Sequence, residues 1–368
     1  MKIGTDQYNT FDTMTMDCWN DRVYYEGKEF PAGQFAAEIL NFAGVIHDPL
    51  LERITVLTAL VDDLSTAEKS KRHDIAAQLK PLLYDTVSWL YTCPPFCYCE
   101  SQSAYENLEH ALSEERLDRD YEEEEAHLPY LALSFCEPIL RILVAIYNFC
   151  LLIRAFEMKY LRRSKQRNAD AFAKAAHECF DEDDSFLILL EQMPFGGVEE
   201  FFSYPRVITG FKYFQDENNE EKWKTAQRVI CKRAIDFYVF DLMNGLHHGH
   251  APSQCQGCGR YFLTTNGHIP KYCDGVAPQD SRYTCRQYGA MMHQKEQNKQ
   301  HPVYRLFNTR TGTIRKHHQR GKISDDLRRE ALYLAESYRD KALLDNILYS
   351  GVWVNYRGKR KEEAANDG

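Results

Sequence analysis

Apolar residues recur every three or four positions along most of the first two-thirds of the chain, which is the pattern of amphipathic helices. Phe35, Ile39, Phe42 and Ile46 form one such stripe, so the spacing predicts a helix that begins near residue 33. The same periodicity predicts further helices over residues 50–64, 67–92, 103–116, 128–163, 168–193 and 220–243. A last helix is predicted to begin after Ser324 and to run to about residue 348.

Two stretches depart from the helical pattern. Residues 22–30 are rich in aromatic and charged residues around Glu26-Gly27, which predicts a short hairpin. Residues 194–218 contain paired glycines and Pro205, and they are predicted to be irregular. The pattern as a whole predicts a mainly α protein.

The longest apolar stretch, residues 139–153, does not predict a membrane span. It contains Arg141 and Asn148, and it is shorter than the about 20 residues that cross a bilayer. We therefore interpret it as a buried core helix and expect no membrane partner. The first residues, 1–6, lack the apolar segment of a secretory signal, so we expect a cytoplasmic protein.

Charge divides the chain unevenly. Residues 1–250 hold 25 Lys+Arg and 42 Asp+Glu, a net charge of −17, whereas residues 251–361 hold 20 and 9, a net charge of +11. A basic segment attracts nucleic acid, and it also docks on acidic protein surfaces. Both interpretations stay open at this point.

Four of the 12 cysteines have the spacing of metal ligands. Cys255 and Cys258 are separated by two residues, fourteen residues precede Cys273, and eleven more precede Cys285. Two cysteines on a glycine-containing turn can hold one ion together, and four thiolates suit a closed, tetrahedral, structural Zn²⁺ site. An iron–sulfur site, which also uses four thiolates, is the alternative.

Two smaller clusters are weaker candidates for metal binding. Cys93, Cys97 and Cys99 have no matching second pair, so we expect free, buried thiols. His247 and His248, with His250 close behind, follow the predicted helix 220–243, where we expect a solvated cap. A second metal at either cluster is the alternative.

The cysteine segment resembles the CGNR type of bacterial zinc finger. The resemblance rests on a helix before a cysteine pair, then Cys258-Gly259-Arg260-Tyr261-Phe262, Lys271-Tyr272-Cys273, and a last cysteine that opens a basic helix. It is similar, more closely, to an uncharacterised family from Gram-positive bacteria and their mobile elements. The resemblance covers residues 220–330 and implies a treble-clef-like finger after a helical domain. CGNR fingers have Gly-Asn-Arg after the last cysteine, where this chain has Arg286-Gln287.

Cations and aromatic residues are interleaved after the third cysteine, as in surfaces that bind phosphates and stack on bases. The predicted contacts to DNA or RNA are Arg282, Arg286, Lys295, Arg305, Arg310, Arg315, Lys316 and Arg320. The resemblance and the charge together predict a nucleic-acid-binding regulator, or a defence or mobile-element protein, of a bacterium. The alternative is a protein-interaction module, an inhibitor or adaptor whose helical body binds a protein and whose zinc is purely structural.

We expect no enzymatic activity. The chain has no Gly-rich phosphate loop, no His-Glu-x-x-His and no serine elbow, although a nuclease with scattered acidic ligands stays open. The predicted organisation is an acidic helical domain over residues 1–246, a zinc-ribbon or treble-clef module over 247–300, and a basic helical extension with a polar tail over 301–368.

Overall fold

The computed structural model describes residues 13–42, 49–117, 130–164, 166–191, 205–216, 219–265 and 271–343. The chain divides into two compact units, Met1–Cys273 and Asp274–Gly368. This division falls inside the segment 247–300, and the predicted boundaries at 246 and 300 stay predictions.

The protein is mainly helical, as predicted. The helices of the first unit are α1 (Gln34–Ile39), α2 (Pro49–Thr66), α3 (Lys69–Leu90), α4 (Gln102–Ala111), α5 (Glu114–Leu117), α6 (Tyr130–Lys159), α7 (Ala169–Phe180), α8 (Asp184–Glu191) and α9 (Ala234–His247). The helices predicted over 50–64, 67–92, 103–116, 128–163 and 168–193 are confirmed, the third of them as two short helices. The helix predicted from residue 33 is confirmed as α1, and residues 43–46 of that prediction lie outside the described residues.

A five-stranded antiparallel sheet joins the two ends of the first unit. Its strands are β1 (Met14–Trp19), β2 (Arg22–Tyr25), β3 (Lys28–Pro31), β4 (Val207–Asp216) and β5 (Asn219–Cys231), in the order β3-β2-β1-β5-β4. The hairpin predicted around Glu26-Gly27 is confirmed. Both turn residues have positive φ, 46° and 72°, which suits the twist of a two-residue hairpin.

The helix predicted over residues 220–243 is wrong in its first half. Residues 219–231 form β5 between β1 and β4, and only α9 is helical. Val229 pairs with Met16, more than 200 residues away in sequence, and β-branched and aromatic residues in this stretch suit a sheet. The 3–4 spacing of Trp223, Ala226 and Ile230 is that of a helix, but pairing with distant strands overrides it, and in β5 Trp223 lies on the opposite face from Ala226 and Ile230. The prediction that residues 194–218 are irregular is wrong for β4, and residues 192–204 lie outside the described residues.

The long apolar helix α6 lies in the core of the first unit. By length and composition, Ala132–Arg163 could cross a membrane, with a mean hydropathy of 2.0. However, α2 and α9 pack against α6, and Leu143, Ile146 and Phe149 are fully buried between the helices. This packing supports the interpretation as a core helix.

A buried carboxylate joins α1 to α9. The two oxygens of Asp241 accept hydrogen bonds from the backbone N–H groups of Gly33 and Ala36, each at 2.9 Å, and so cap the start of α1 from a distant helix. At the same crossing a Cβ on Gly245 would lie 2.8 Å from the Gly33 Cα, so only glycine allows this approach. Burial raises the pKa of Asp241 to about 7, although the hydrogen bonds from Ala36 and Gly33 oppose that rise.

The second unit begins with a short ribbon of β8 (Val276–Ala277) and β9 (Asp280–Thr284), followed by α10 (Cys285–Gln300) and α11 (Pro302–Gln319). A further helix, α12, covers residues 325–343, and Ser324 Oγ accepts from the Leu327 N–H at its start, as the sequence predicts. Arg339 on α12 stacks over the ring of Phe307 on α11 at 4.7 Å. Residues 344–368, with the end of this predicted helix and the polar tail, lie outside the described residues.

We predict that Asp241→Ala destabilises the protein by at least about 2 kcal/mol, because two buried N–H groups lose their acceptor. Asp241→Asn serves as the reference that has no titratable group at this position, so the difference from wild type reports the ionisation of Asp241. The folded pKa of about 7 lies above the ordinary 3.8, so between these values the folded state holds a proton that the unfolded state has lost. Stability relative to the Asn variant should therefore fall as pH rises from about 4 to about 7 and level off above it.

Urea unfolding of the wild type and both variants across this pH range checks the prediction. A stability difference that grows with pH would mean that the folded protein holds Asp241 ionised.

Candidate metal centre and basic helices

A hairpin of the first unit carries the first two cysteines. Its strands, β6 (Ala251–Gln254) and β7 (Tyr261–Thr264), pair antiparallel, and the connecting turn places Cys255 and Cys258 on one side. The Cys255 N–H donates to the Arg260 carbonyl at 2.8 Å, and the Gly259 N–H donates back to the Cys255 carbonyl at 2.9 Å. Gly259 has φ 74°, a conformation that glycine adopts without strain. The glycine after the cysteine pair therefore closes the turn.

Backbone N–H groups point at the sulfur of Cys255. Those of Gly257 and Cys273 lie 3.4 Å and 3.3 Å from its Sγ. Burial of this thiol opposes ionisation, but the hydrogen bonds from Cys273, Cys258 and Gly257 outweigh it and lower the pKa of Cys255 to about 7. The turn thus favours the thiolate, which is the form that binds a metal.

The fourth cysteine is the first residue of α10. A reciprocal capping box starts this helix, in which the Thr284 N–H donates to Gln287 Oε1 at 3.0 Å and the Gln287 N–H donates to Thr284 Oγ1 at 3.2 Å. The Cys285 N–H donates to the Gly275 carbonyl at 2.7 Å. Gln287, which stands where the CGNR type has a different residue, therefore fixes the backbone at a candidate ligand. The Thr-x-x-Gln spacing signals this cap in the sequence, and the sequence analysis missed it.

The four predicted ligand atoms come together. The Sγ atoms of Cys255, Cys258, Cys273 and Cys285 all lie within 4.8 Å of one another, and none of the four forms a disulfide. Cys258 Sγ and Cys273 Sγ are 3.6 Å apart, well beyond the about 2.05 Å of a disulfide. Cys255 and Cys285 are only 2% and 1% exposed. These four cysteines could bind a metal ion, and they are the one such group among the described residues.

Side chains of the helical body hold the β6–β7 hairpin in place. Asn41, just after α1, accepts from the Tyr261 N–H at 2.7 Å and donates to the Tyr261 carbonyl at 3.0 Å. Arg167 donates to Thr264 Oγ1 at 3.1 Å and to the Pro252 carbonyl at 3.4 Å. Both contacts come from the body, so the hairpin that carries Cys255 is anchored to it by side-chain hydrogen bonds.

The eight predicted nucleic-acid contacts are all exposed, and they fall into two groups. Arg282 and Arg286 form ion pairs with Asp280 at 2.8 Å and with Asp274 at 3.0 Å. The side chains of the others form no ion pair with any residue that the structure describes. These are Lys295, Arg305, Arg310, Arg315, Lys316 and Arg320.

The cysteine cluster before α4 has a different environment from the metal centre. Burial raises the pKa of the Cys93 thiol to about 12, and its Sγ donates to the Trp89 carbonyl at 3.4 Å. Cys99 Sγ lies 3.2 Å from the Tyr25 hydroxyl, and Cys97 is exposed. The prediction that all three are buried is therefore wrong for Cys97, which lies in the short 3-10 helix Phe96–Tyr98, and Cys99 is only half-buried. That they are free of metal stays a prediction.

The histidines after α9 are not a uniformly solvated cap. His250 is buried, and its Nδ1 lies 2.9 Å from the Ala32 carbonyl. Burial lowers the pKa of His248, and the neighbouring His247 and His250 lower it further. The expectation of a solvated cap is therefore wrong for His250, which fixes the chain between α9 and β6.

Residues 203–356 match a family described as a family of unknown function (DUF6076). The match begins just before β4 and continues past α12, so it includes the four cysteines and the basic helices. It agrees with the prediction of an uncharacterised family for this part of the chain, and it assigns no activity. No curated protein and no solved structure matches the chain.

We predict that Cys258→Ser removes the bound metal from the purified protein. A serine hydroxyl does not replace a thiolate, and three remaining sulfurs hold an ion much more weakly. The helical circular dichroism should persist, because Asn41 and Arg167 hold the hairpin without the metal. Elemental analysis of protein purified without chelators checks this, with the exposed Cys97→Ser as control. Equal metal content in wild type and Cys258→Ser would contradict the assignment.

We predict that Gln287→Ala weakens metal binding about fivefold, since a lost helix cap costs about 1 kcal/mol. Gln287→Glu should bind as the wild type does, because glutamate serves at the same position of a capping box. Gln294→Ala, on the same helix and exposed, is the matched control. Competition with a chromophoric chelator measures the affinities. A Gln287→Ala affinity equal to that of the control would show that the cap does not support the ligand.

Proposed function

We propose that the four cysteines hold one structural Zn²⁺. Around a single Zn²⁺ with Zn–S distances of about 2.3 Å, neighbouring sulfurs stand about 3.8 Å apart, and the 3.6 Å between Cys258 and Cys273 fits that spacing. An iron–sulfur cluster places several ions between its thiolates and so spreads them further apart than the 4.8 Å limit found here. With four protein ligands the ion has no open position, so it serves structure and not catalysis.

The ion connects the rigid hairpin to the start of a basic helix. Cys255 and Cys258 belong to a turn held by the body, and Cys285 opens α10. A segment this short has little core of its own, so metal binding supplies much of its folding free energy. The proposed role of the zinc is to order the chain that leads into α10 and α11.

We infer that α11 is the surface that binds nucleic acid. Residues 285–322 contain nine Lys or Arg and a single acidic residue, Glu296. On α11, Arg305 and Lys316 are about three turns apart and Arg320 follows about one turn later, so the three share a face. Thr311, the buried residue of this helix, lies on the opposite side. This row of exposed cations without ion pairs among the described residues is the observation that carries the proposal.

The same face allows close approach to a phosphate backbone. Thr309 and Gly312 lie between the cations, and a Cβ at Gly312 would meet no atom within 4 Å. Small side chains leave the helix backbone accessible, while Arg and Lys reach phosphates on both sides. Arg282 and Arg286 support the positive potential, but their ion pairs reduce what each contributes to binding.

For the whole chain we propose a cytoplasmic role in nucleic-acid-linked regulation or defence in a bacterium. The likeness of the cysteine segment to bacterial fingers supports it, together with the contrast between the basic end and the acidic body. The acidic body repels non-specific nucleic acid, so it would raise selectivity for sites that α11 contacts well.

We predict that replacing Arg305, Lys316 and Arg320 together with Ala weakens binding to DNA or RNA of every sequence. The slope of log K against log salt should fall by about 0.9 for each lost contact to duplex DNA, because fewer counterions are released. The control variant replaces Arg282, Arg286 and Arg329 with Ala and so removes the same number of positive charges. Each of these cations already has an acidic partner. Salt titrations of the full, metal-loaded chain with single- and double-stranded probes measure both slopes.

An equal loss in the two triple variants would assign binding to overall charge and not to the α11 face. No binding by the wild type at about 50 mM salt, where phosphate contacts are strong, would refute the nucleic-acid proposal.

A further inference from the structure

Three exposed aromatic rings lie on the hairpin of β4 and β5. Phe211, Tyr213 and Trp223 are 72%, 67% and 65% exposed. The register pairs Phe211 with Gln227, Tyr213 with Thr225 and Gln215 with Trp223, so the three rings share one face of the sheet. They form a contiguous apolar patch, which a protein surface rarely leaves open without a partner.

This face continues the one that is buried closer to the body. There Met16, on β1, pairs with Val229, and both are fully buried. The described pairing of β1 with β5 ends at Gln227, so the hairpin extends past it. The aromatic rings therefore occupy positions that would be core if another layer of protein covered them.

The outer edge of β4 is open as well. Within the described residues, β4 has a strand partner on one side only, and it ends the sheet. Natural edges are usually protected by free charges, prolines or bulges. The central part of this edge, residues 207–215, contains a single charged residue, Lys212, which already contacts Asp17 at 2.9 Å. Residues 207–215 are therefore mostly uncharged, and the one irregularity in the pairing of β4 with β5, between Gln215 and Asp216, lies at the far end of the strand.

We propose that a second copy of this chain pairs with this edge, β4 against β4, so that two five-stranded sheets continue as one. A two-fold axis at Phe211 places Phe211 opposite Phe211 of the partner, Ile208 opposite Phe214, and Thr209 opposite Tyr213. Aromatic and β-branched pairs of this kind stabilise antiparallel strands.

Repulsion between lysines favours the register with the axis at Phe211 over the one with the axis at Lys212. With the axis at Phe211, Lys212 faces Gly210 of the partner, whereas an axis at Lys212 would oppose two like charges. The register with the axis at Phe211 also keeps the aromatic faces of the two copies on the same side of the joint sheet. One arrangement thus pairs the backbone edge, places Phe211 beside Phe211 of the partner subunit and keeps the two lysines from facing each other.

The edge suits a weak dimer. Pairing along β4 buries the strand edge and the sides of Phe211 and Tyr213 that face the partner strand, while their outward faces and Trp223 on β5 stay exposed. We therefore expect an interface below the about 800 Å² per partner of a standard one.

A second copy fits this surface better than nucleic acid does. The described cations of the hairpin are engaged on the opposite face, where Lys212 and Arg228 contact Asp17 and Lys224 lies over the Trp19 ring at 4.2 Å. No described cation on the aromatic face is placed to meet a phosphate. This proposal is independent of the nucleic-acid role of α11.

The two-fold register gives a direct test with full-length, metal-loaded protein. Phe211→Glu alone and Phe211→Lys alone should each dimerise at least about tenfold more weakly than wild type, because each places like charges opposite one another. An equimolar mixture of the two should restore dimers, now with one copy of each variant. Met158→Glu, which places the same charge at an exposed site on α6, should dimerise as the wild type does.

Sedimentation velocity up to about 100 µM, a range in which small interfaces associate, measures all four samples, and mass spectrometry identifies the mixed dimer. Added salt should strengthen the dimer, since screening reduces repulsion between two acidic bodies. A monomeric wild type, a Phe211→Glu variant as dimeric as wild type, or a mixture that stays monomeric would each overturn the proposal. A protein that dimerises but binds no nucleic acid would uphold it and refute only the role of α11.

Discussion

The buried carboxylate of Asp241 is the contact on which the arrangement of the first unit depends. Asp241, on α9, accepts hydrogen bonds from the unpaired N–H groups at the start of α1. The two helices are more than 190 residues apart in sequence. The Gly33–Gly245 approach lets their backbones touch at the same crossing. A carboxylate buried to this extent is stable only because backbone N–H groups surround it. The end of α9 is therefore held against α1, and β6 begins only a few residues later.

The position of the candidate metal centre depends on this contact between α1 and α9. His250, between α9 and β6, contacts the Ala32 carbonyl next to Gly33, and Asn41 at the far end of α1 holds Tyr261 on β7. The hairpin and the residue before it thus have contacts to both ends of α1 that involve no metal ligand. A bound ion would not have to order the first pair of cysteines, so its binding free energy would go into ordering the chain around Cys273 and Cys285.

Two surfaces of the chain have opposite chemistry. The exposed face of α11 has cations that form no ion pair with a described residue, set among small side chains. The β4–β5 hairpin instead has aromatic rings, and its described cations contact the opposite face of the sheet. A phosphate backbone needs the first combination and a protein interface needs the second. Salt acts on them in opposite directions, because it screens attraction at the basic face and repulsion between acidic bodies.

The sequence by itself determined the features that depend on neighbouring residues. The spacing of Cys255, Cys258, Cys273 and Cys285 predicted a group that could bind a metal ion. Helical periodicity located α2, α3 and α6, and Glu26-Gly27 located a hairpin. Each of these signals lies within a few turns of helix or one short loop, so local physics is sufficient to predict it.

Tertiary structure alone decided the features that depend on distant partners. The stretch from Trp223 to Ile230 has the spacing of a helix, but it is a strand because β4 pairs with it along its length and β1 pairs with its last residues. In the sequence, Asp241 is an ordinary helix residue, and only the fold places the N–H groups of Gly33 and Ala36 against its carboxylate. The exposed face of α11 and the open edge of β4 also depend on which neighbours pack elsewhere. Burial, strand pairing and the accessibility of a charge are set by residues far away in sequence, and no local pattern contains them.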